Sequence, residues 1–191
     1  MALAPVYRAF GFKRVVVATY QSVSGAGRGG IETLKLETRN SKFEIRNSVF
    51  SRGIAGNVIP QIGDFKDLGY SGEEWKMVRE TQKIFHDDAI EVNATTVRVP
   101  VLAGHSESVY FETRQPAKLR DIERLLQRAS GIVYSKDTYH TPLEIAGKDH
   151  VFVSRLRPDP FNPRAFVMWV VADNLRKGAA TNAVQIAEQL L

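Results

Sequence analysis

Residues 13–21, KRVVVATYQ, limit this chain more than any other segment does. Three valines followed closely by threonine make a β-branched run that helices accommodate poorly and sheets pack well. A run this apolar belongs inside a sheet. It ends at SVSGAGRGG, residues 22–30, which reads as loop from its glycines and serines. A short helix is expected from Ile31, while residues 33–50, TLKLETRNSKFEIRNSVF, alternate weakly and read as extended or irregular.

A buried strand needs covering elements, and the sequence offers them. Residues 2–10 are rich in helix formers and stop at Gly11. In SGEEWKMVRETQKIFHD, residues 71–87, Ser71 is the N-cap and Glu74 the third helical residue, a capping box. Trp75, Val78, Gln82 and Phe85 then fall on one side. AKLRDIERLLQRAS, 117–130, is amphipathic, with Leu119, Ile122, Leu125 and Leu126 at helical spacing. The chain closes on NLRKGAATNAVQIAEQLL, 174–191, capped by Asp173 and striped by Leu175, Ala179, Ala183, Ile186 and Leu190.

Further strands are expected at IEVNATTVRVPV (90–101) and SVYFETRQP (108–116), joined through the turn GHSES as a hairpin or close neighbour pair. HVFVSRLRP (150–158) and AFVMWVVAD (165–173) flank the proline-rich turn DPFNP. The fold class is therefore α+β: a mixed, mainly antiparallel sheet with helices packed on one face. No complete dinucleotide-binding half of the doubly wound kind is expected.

A chain of 191 residues suits one domain, or one with an appendage. Its 43% hydrophobic and 25% charged residues are ordinary for a soluble protein. No apolar run approaches bilayer length, and MALAPVYRAFGFKR lacks a signal-peptide pattern, so a cytoplasmic location without membrane contact is expected. Zero cysteines excludes disulfides, thiolate metal sites and any thiol nucleophile from this polypeptide. The net charge of +5 suits an anionic partner, but the basic residues are scattered, which argues against nucleic acid and leaves small phosphates or carboxylates. No spacing of histidines and carboxylates resembles a metal site, and His86, His140 and His150 receive no role.

The stretch VRVPVLAGHSESV, residues 97–109, is odd for a chain without a nucleophile. Val97, Val99 and Val101 alternate, so Arg98 projects from the opposite face with Thr96 and Pro100, and His105 follows a few residues later in a turn. Arg98 alone could pair with a neighbouring glutamate, and His105 could simply hydrogen bond. Glu73 and Lys76, at i and i+3, could be an ordinary ion pair.

Several segments together, RVVVATYQSVSGAG, AGNVIPQIGDF, GEEWKMVRET, VRVPVLAGHSESV, PLEIAGKDHVFVSRLR and WVVADNLRKGAATNAVQIAE, resemble the bacterial aspartate-semialdehyde dehydrogenase family in nearly every part of the chain except 33–50. In that family a Rossmann domain precedes an Asn-Cys-Ser-Thr segment holding the nucleophile, and the helix after the cysteine runs into a sequence like MALAPVYRAFG. The resemblance thus implies a carboxy-terminal part of such an enzyme, inactive alone. It implies a catalytic and dimerisation domain over 1–173, with 1–11 a junction helix, and a terminal helix 174–191 packing on the NADP-binding domain. An alternative is a non-catalytic relative or truncated product that retains only a dimerisation surface.

The family reduces 4-aspartyl phosphate to aspartate semialdehyde with NADPH, releasing phosphate, through a cysteine thioester. By resemblance His105 is the acid/base, Gln21 lies beside the nucleophile and contacts substrate, and Arg98 grips the α-carboxylate. Glu73 holds the amino group and Lys76 the phosphate. Ser24, Gly25 and Asn174 approach NADP. A homodimer is implied, and no metal.

Overall fold

The computed structural model describes residues 1–39, 48–188 and 190. The valine run forms β1, Phe12–Gln21, and five more strands join it: β2 (Glu91–Arg98), β3 (His105–Thr113), β4 (Ile132–Ser135), β5 (Val151–Pro158) and β6 (Ala165–Ala172). They make one sheet in the order β2-β1-β3-β6-β5-β4. The pairs β1–β2 and β4–β5 are parallel and the other three antiparallel, the mixed α+β arrangement expected.

Helices α1 (Ala4–Phe10), α3 (Gly72–Phe85) and α4 (Leu119–Arg128) cover one face of this sheet. Val6, Met77, Phe85, Ile122 and Leu126 meet Val15, Val17, Val109, Val153 and Met168 there. Phe12, Phe111 and Phe166 extend across β1, β3 and β6, with ring centroids 5.4 and 5.7 Å apart. On the reverse face, among the described residues, the turn α5 (Pro142–Ile145) seats Ile145 against Phe152 and Val171. Val16 and Tyr20 of β1 remain 39% and 37% exposed on that side, so the run is buried on one face rather than both. No helix among the described residues is long and apolar enough to cross a membrane.

Four local expectations change. β2 and β3 are not a hairpin, because β1 lies between them. After Arg98, Pro100 cannot donate to a ladder, and the chain crosses the end of β1, where Val99 N–H meets the Gln21 carbonyl and Val23 N–H the Val101 carbonyl. It then returns along the other edge of β1, and His105 opens β3 rather than sitting in a turn.

Second, the glycine-rich segment is helical: a short turn at Val23–Ala26 leads into α2, Gly27–Arg39. Leu34 packs with Val23, Ile54 and Ile59, and Arg28 pairs with Glu32 one turn on at 2.6 Å, so tertiary burial overrides poor propensity. Residues 40–47 of the stretch expected to be irregular lie outside the described residues.

Third, α3 turns Met77 and Phe85 inward, while Trp75 stacks on Tyr70 and under Arg79. Fourth, the last helix is not continuous: a wider turn at Arg176–Ala180 precedes α6, Thr181–Glu188. Asp173 does cap it, accepting the N–H groups of Leu175 and Arg176 at 2.8 and 3.1 Å.

Candidate active site

The parallel register of β1 and β2 sets Gln21 opposite Arg98. The antiparallel register of β1 and β3 pairs Tyr20 with Ser106, which brings His105 beside the same strand end. Arg98 is fixed on its second edge by a two-way bridge with Ile59, whose N–H and carbonyl bond at 2.9 and 2.8 Å. Three backbone ladders therefore aim one guanidinium and one imidazole at a single point.

Arg98 is 6% exposed. Its Nη1 donates to the Ser22 carbonyl at 2.7 Å, and its guanidinium lies over the Phe50 ring, 5.9 Å from the centroid. Among the described residues no carboxylate lies within ion-pair distance of it. Burial pulls the guanidinium below its ordinary value, and the Glu73 carboxylate acts in the opposite sense. Arginine keeps its charge regardless. The cavity it lines, about 290 Å³ with Phe50, Gln61 and Asp64, accepts a small polar molecule.

His105 shares this point. A Cβ added to Gly25 would lie 2.7 Å from Arg98 Nη1 and 3.1 Å from His105 Nε2, so the bare backbone of Gly25 stands between them. Burial first, then the Arg98 charge, lowers the His105 pKa from 6.5 to about 4, against smaller opposing effects of the Gly104 backbone and Asp173. Neutral imidazole is the resting form.

Asn174 is a hub behind the histidine. Its Oδ1 accepts the Gly104 N–H at 2.8 Å and its Nδ2 donates to Ser24 Oγ at 3.0 Å. Ser22, wholly buried, bonds Asn174, Ser24 and His105 Nδ1 through its hydroxyl. Nothing in the sequence singled out Ser22 or Phe50, since their partners are 83 and 48 residues away in the chain. Gly25, Gly27 and Gly30 also fall at GxGxxG spacing, from the short turn after β1 into the first turn of α2. Each has a local reason: Gly27 has φ +74°, and a Cβ on Gly30 would sit 2.3 Å from the Val23 carbonyl oxygen.

Glu73 and Lys76 rise from the first turns of α3, 3.8 Å apart as an i,i+3 pair. Glu73 acts electrostatically on Arg98, but Lys76 lines a different cavity with Trp75 and Arg79. Gln21 donates to Thr19 Oγ1 at 3.4 Å. Glu74 completes the capping box and does more. One oxygen accepts the Ser71 N–H at 2.7 Å, the other the Thr96 N–H at 2.9 Å, tying α3 to β2 two residues from Arg98. Glu74→Ala strands two buried N–H groups and should cost about 2–4 kcal/mol, read from the denaturant midpoint. A loss below about 0.5 kcal/mol would show that water satisfies both.

The sheet thus has one helical face, and a buried arginine and a half-buried histidine converge at its strand ends. Residues 3–177 match the family "Semialdehyde dehydrogenase, dimerisation domain", and the chain belongs to that family. It is 50% identical over 195 residues to aspartate-semialdehyde dehydrogenase 2 of Vibrio cholerae, covering 100% of this chain and 58% of that protein. It is 45% identical over 203 residues to the aspartate-semialdehyde dehydrogenase of Bacillus subtilis, covering 99% and 59%. The crystal structure of the Vibrio cholerae aspartate semialdehyde dehydrogenase II complexed with ASA superposes with a TM-score of 0.94 at 50% identity, over 99% of this chain and 57% of that one. The chain thus spans a little over half the length of these relatives.

Proposed function

We propose that this chain forms the substrate-binding and dimerisation part of an NADP-dependent aspartate-semialdehyde dehydrogenase. The reaction it serves is the reduction of 4-aspartyl phosphate to aspartate semialdehyde with release of phosphate. The observation that carries this reading is the buried guanidinium of Arg98, without a carboxylate at ion-pair distance among the described residues and set beside His105 across the bare backbone of Gly25.

Arg98 takes the α-carboxylate as a two-pronged clamp, and Glu73 the amino group. Lys76, on the same helix end though it lines a different cavity, would have to swing its long side chain round to receive the phosphate near the positive pole of α3. His105 faces the reacting carbonyl, with Gln21 beside it. A cysteine thiolate supplied from outside this chain attacks the acyl phosphate. Bound NADPH would supply a hydride. The bare Gly25 is where this chain fits the reactive end of that cofactor, since a side chain would fill the space; Ser24 and Asn174 hold the turn that presents it.

The open sheet face is the surface for a second copy. Val16 and Tyr20 lie exposed there on a strand whose composition calls for burial, and the matched family is described as a dimerisation domain.

The purified chain alone should give no phosphate-dependent oxidation of aspartate semialdehyde with NADP. Mixed with the NADP-binding, cysteine-bearing portion of a related dehydrogenase, it should give turnover. Activity from the chain alone, or none from a mixture that forms a complex, would overturn the reading.

A further inference from the structure

Strand β5 carries one residue too many. Ser154 pairs with Trp169 of β6, yet Arg157 pairs with Val167, so three steps on one strand answer two on the other. The extra residue is Arg155, held at φ +53°, a left-handed backbone that a long side chain adopts only at a cost. In an unbroken strand Arg155 and Arg157 would follow Val153 onto the helical face. The bulge sends Leu156 there instead, where it joins the core. Arg155 and Arg157 are left on the open side, lining a cavity of about 350 Å³.

Tyr20, Ser108, His140 and Trp169 are among the other walls of that cavity. The Tyr20 and Trp169 rings lie 5.7 Å apart, and Trp169 Nε1 donates to the His140 carbonyl at 3.1 Å, so this wall is fixed. Arg157 Nη1 donates to the Arg155 carbonyl at 3.0 Å, which anchors one guanidinium beside the other's backbone. Among the described residues no carboxylate lies within ion-pair distance of Arg155 or Arg157, whereas Arg14, Arg28, Arg114 and Arg176 each have one.

The cavity opens on the face proposed above for a second copy. An isologous pair repeats every patch, so two chains of formal net charge +5 would close over arginines that no described acid of their own chain balances. Taking unpaired charge out of water is costly unless an opposite charge goes with it. A small oxyanion supplies that charge, because a guanidinium fork binds two of its oxygens in parallel. We propose that Arg155 and Arg157 form a site for a small oxyanion, of phosphate or short-carboxylate type, which the second copy encloses and which strengthens the pairing. This rests on the pairing face proposed above and not on the reaction.

The test is sedimentation of the full 191-residue chain in chloride and in millimolar phosphate at matched ionic strength. Phosphate should lower the dimer dissociation constant about tenfold, since an anion held only by the pair adds its binding free energy to assembly. Succinate run in parallel tells a carboxylate ligand from phosphate, and an effect of neither overturns the inference. Arg155→Asn combined with Arg157→Gln removes both charges, and asparagine tolerates the left-handed backbone. This variant should pair in chloride at least as tightly as the parent and gain less than about twofold from phosphate. Should it not fold, Arg157→Gln alone, outside the strained position, should lose most of the phosphate effect. A full effect that persists in these variants, or one that vanishes in Lys76→Ala, would place the anion elsewhere and overturn the site. A dimer of equal strength in every buffer would do the same while leaving the pairing face standing; a chain monomeric throughout would sink both.

Discussion

Replacing Arg98 by alanine should lower kcat/KM of the reconstituted enzyme about a thousandfold, on the order of 4 kcal/mol, the range for truncating one partner of a buried charge pair. The guanidinium is already desolvated and held by the Ser22 carbonyl and the Phe50 ring, so substrate binding adds little ordering cost. A carboxylate that meets it gains two parallel charge-assisted bonds in a nearly dry setting. Arg98→Lys should recover only a small part, because an ammonium cannot span both oxygens in a plane and would leave the Ser22 carbonyl poorly served. Steady-state kinetics in aspartate semialdehyde measures this. A variant within tenfold of the parent would mean that the α-carboxylate is bound elsewhere.

The residues of this site were legible only as far as their motif was. Arg98 and His105 sit seven positions apart in a segment of fixed pattern, and the capping box at Ser71 and Glu74 follows from local rules alone. Ser22 is a buried serine in a stretch that reads as loop, and its importance comes from β3 arriving 83 residues later. Strand order was lost for a similar reason. The step from β2 to β3 looked like a hairpin because nearness in sequence is the only guide to pairing, whereas β1, apolar on both faces, takes the middle. The start of α2 was placed four residues late because four of its first seven positions carry glycine or arginine in a pattern typical of turns, and the helix gains burial against Ile54 and Ile59. What long-range contact decides, local pattern cannot show.

Phe111→Ala should cost about 3–5 kcal/mol of stability and lower Tm by on the order of 10 °C. Phe111 is 0% exposed towards the end of β3, between Phe12 and Phe166. Its ring fills space bounded by two further rings on neighbouring strands, and pleated strands cannot close such a gap by shifting one side chain. A domain with roughly 5–15 kcal/mol in hand would spend a large part of it. Phe161→Ala supplies the contrast: that ring is 94% exposed in the turn before β6, and its loss should stay within about 0.5 kcal/mol. Denaturant unfolding of the two variants separates burial from residue type. Because β3 also carries His105 at its first position, the Phe111 variant should lose activity at temperatures where the parent is still folded, whereas the Phe161 variant should track the parent throughout. Equal destabilisation in the two would mean that the ring row across β1, β3 and β6 is not the anchor of the sheet.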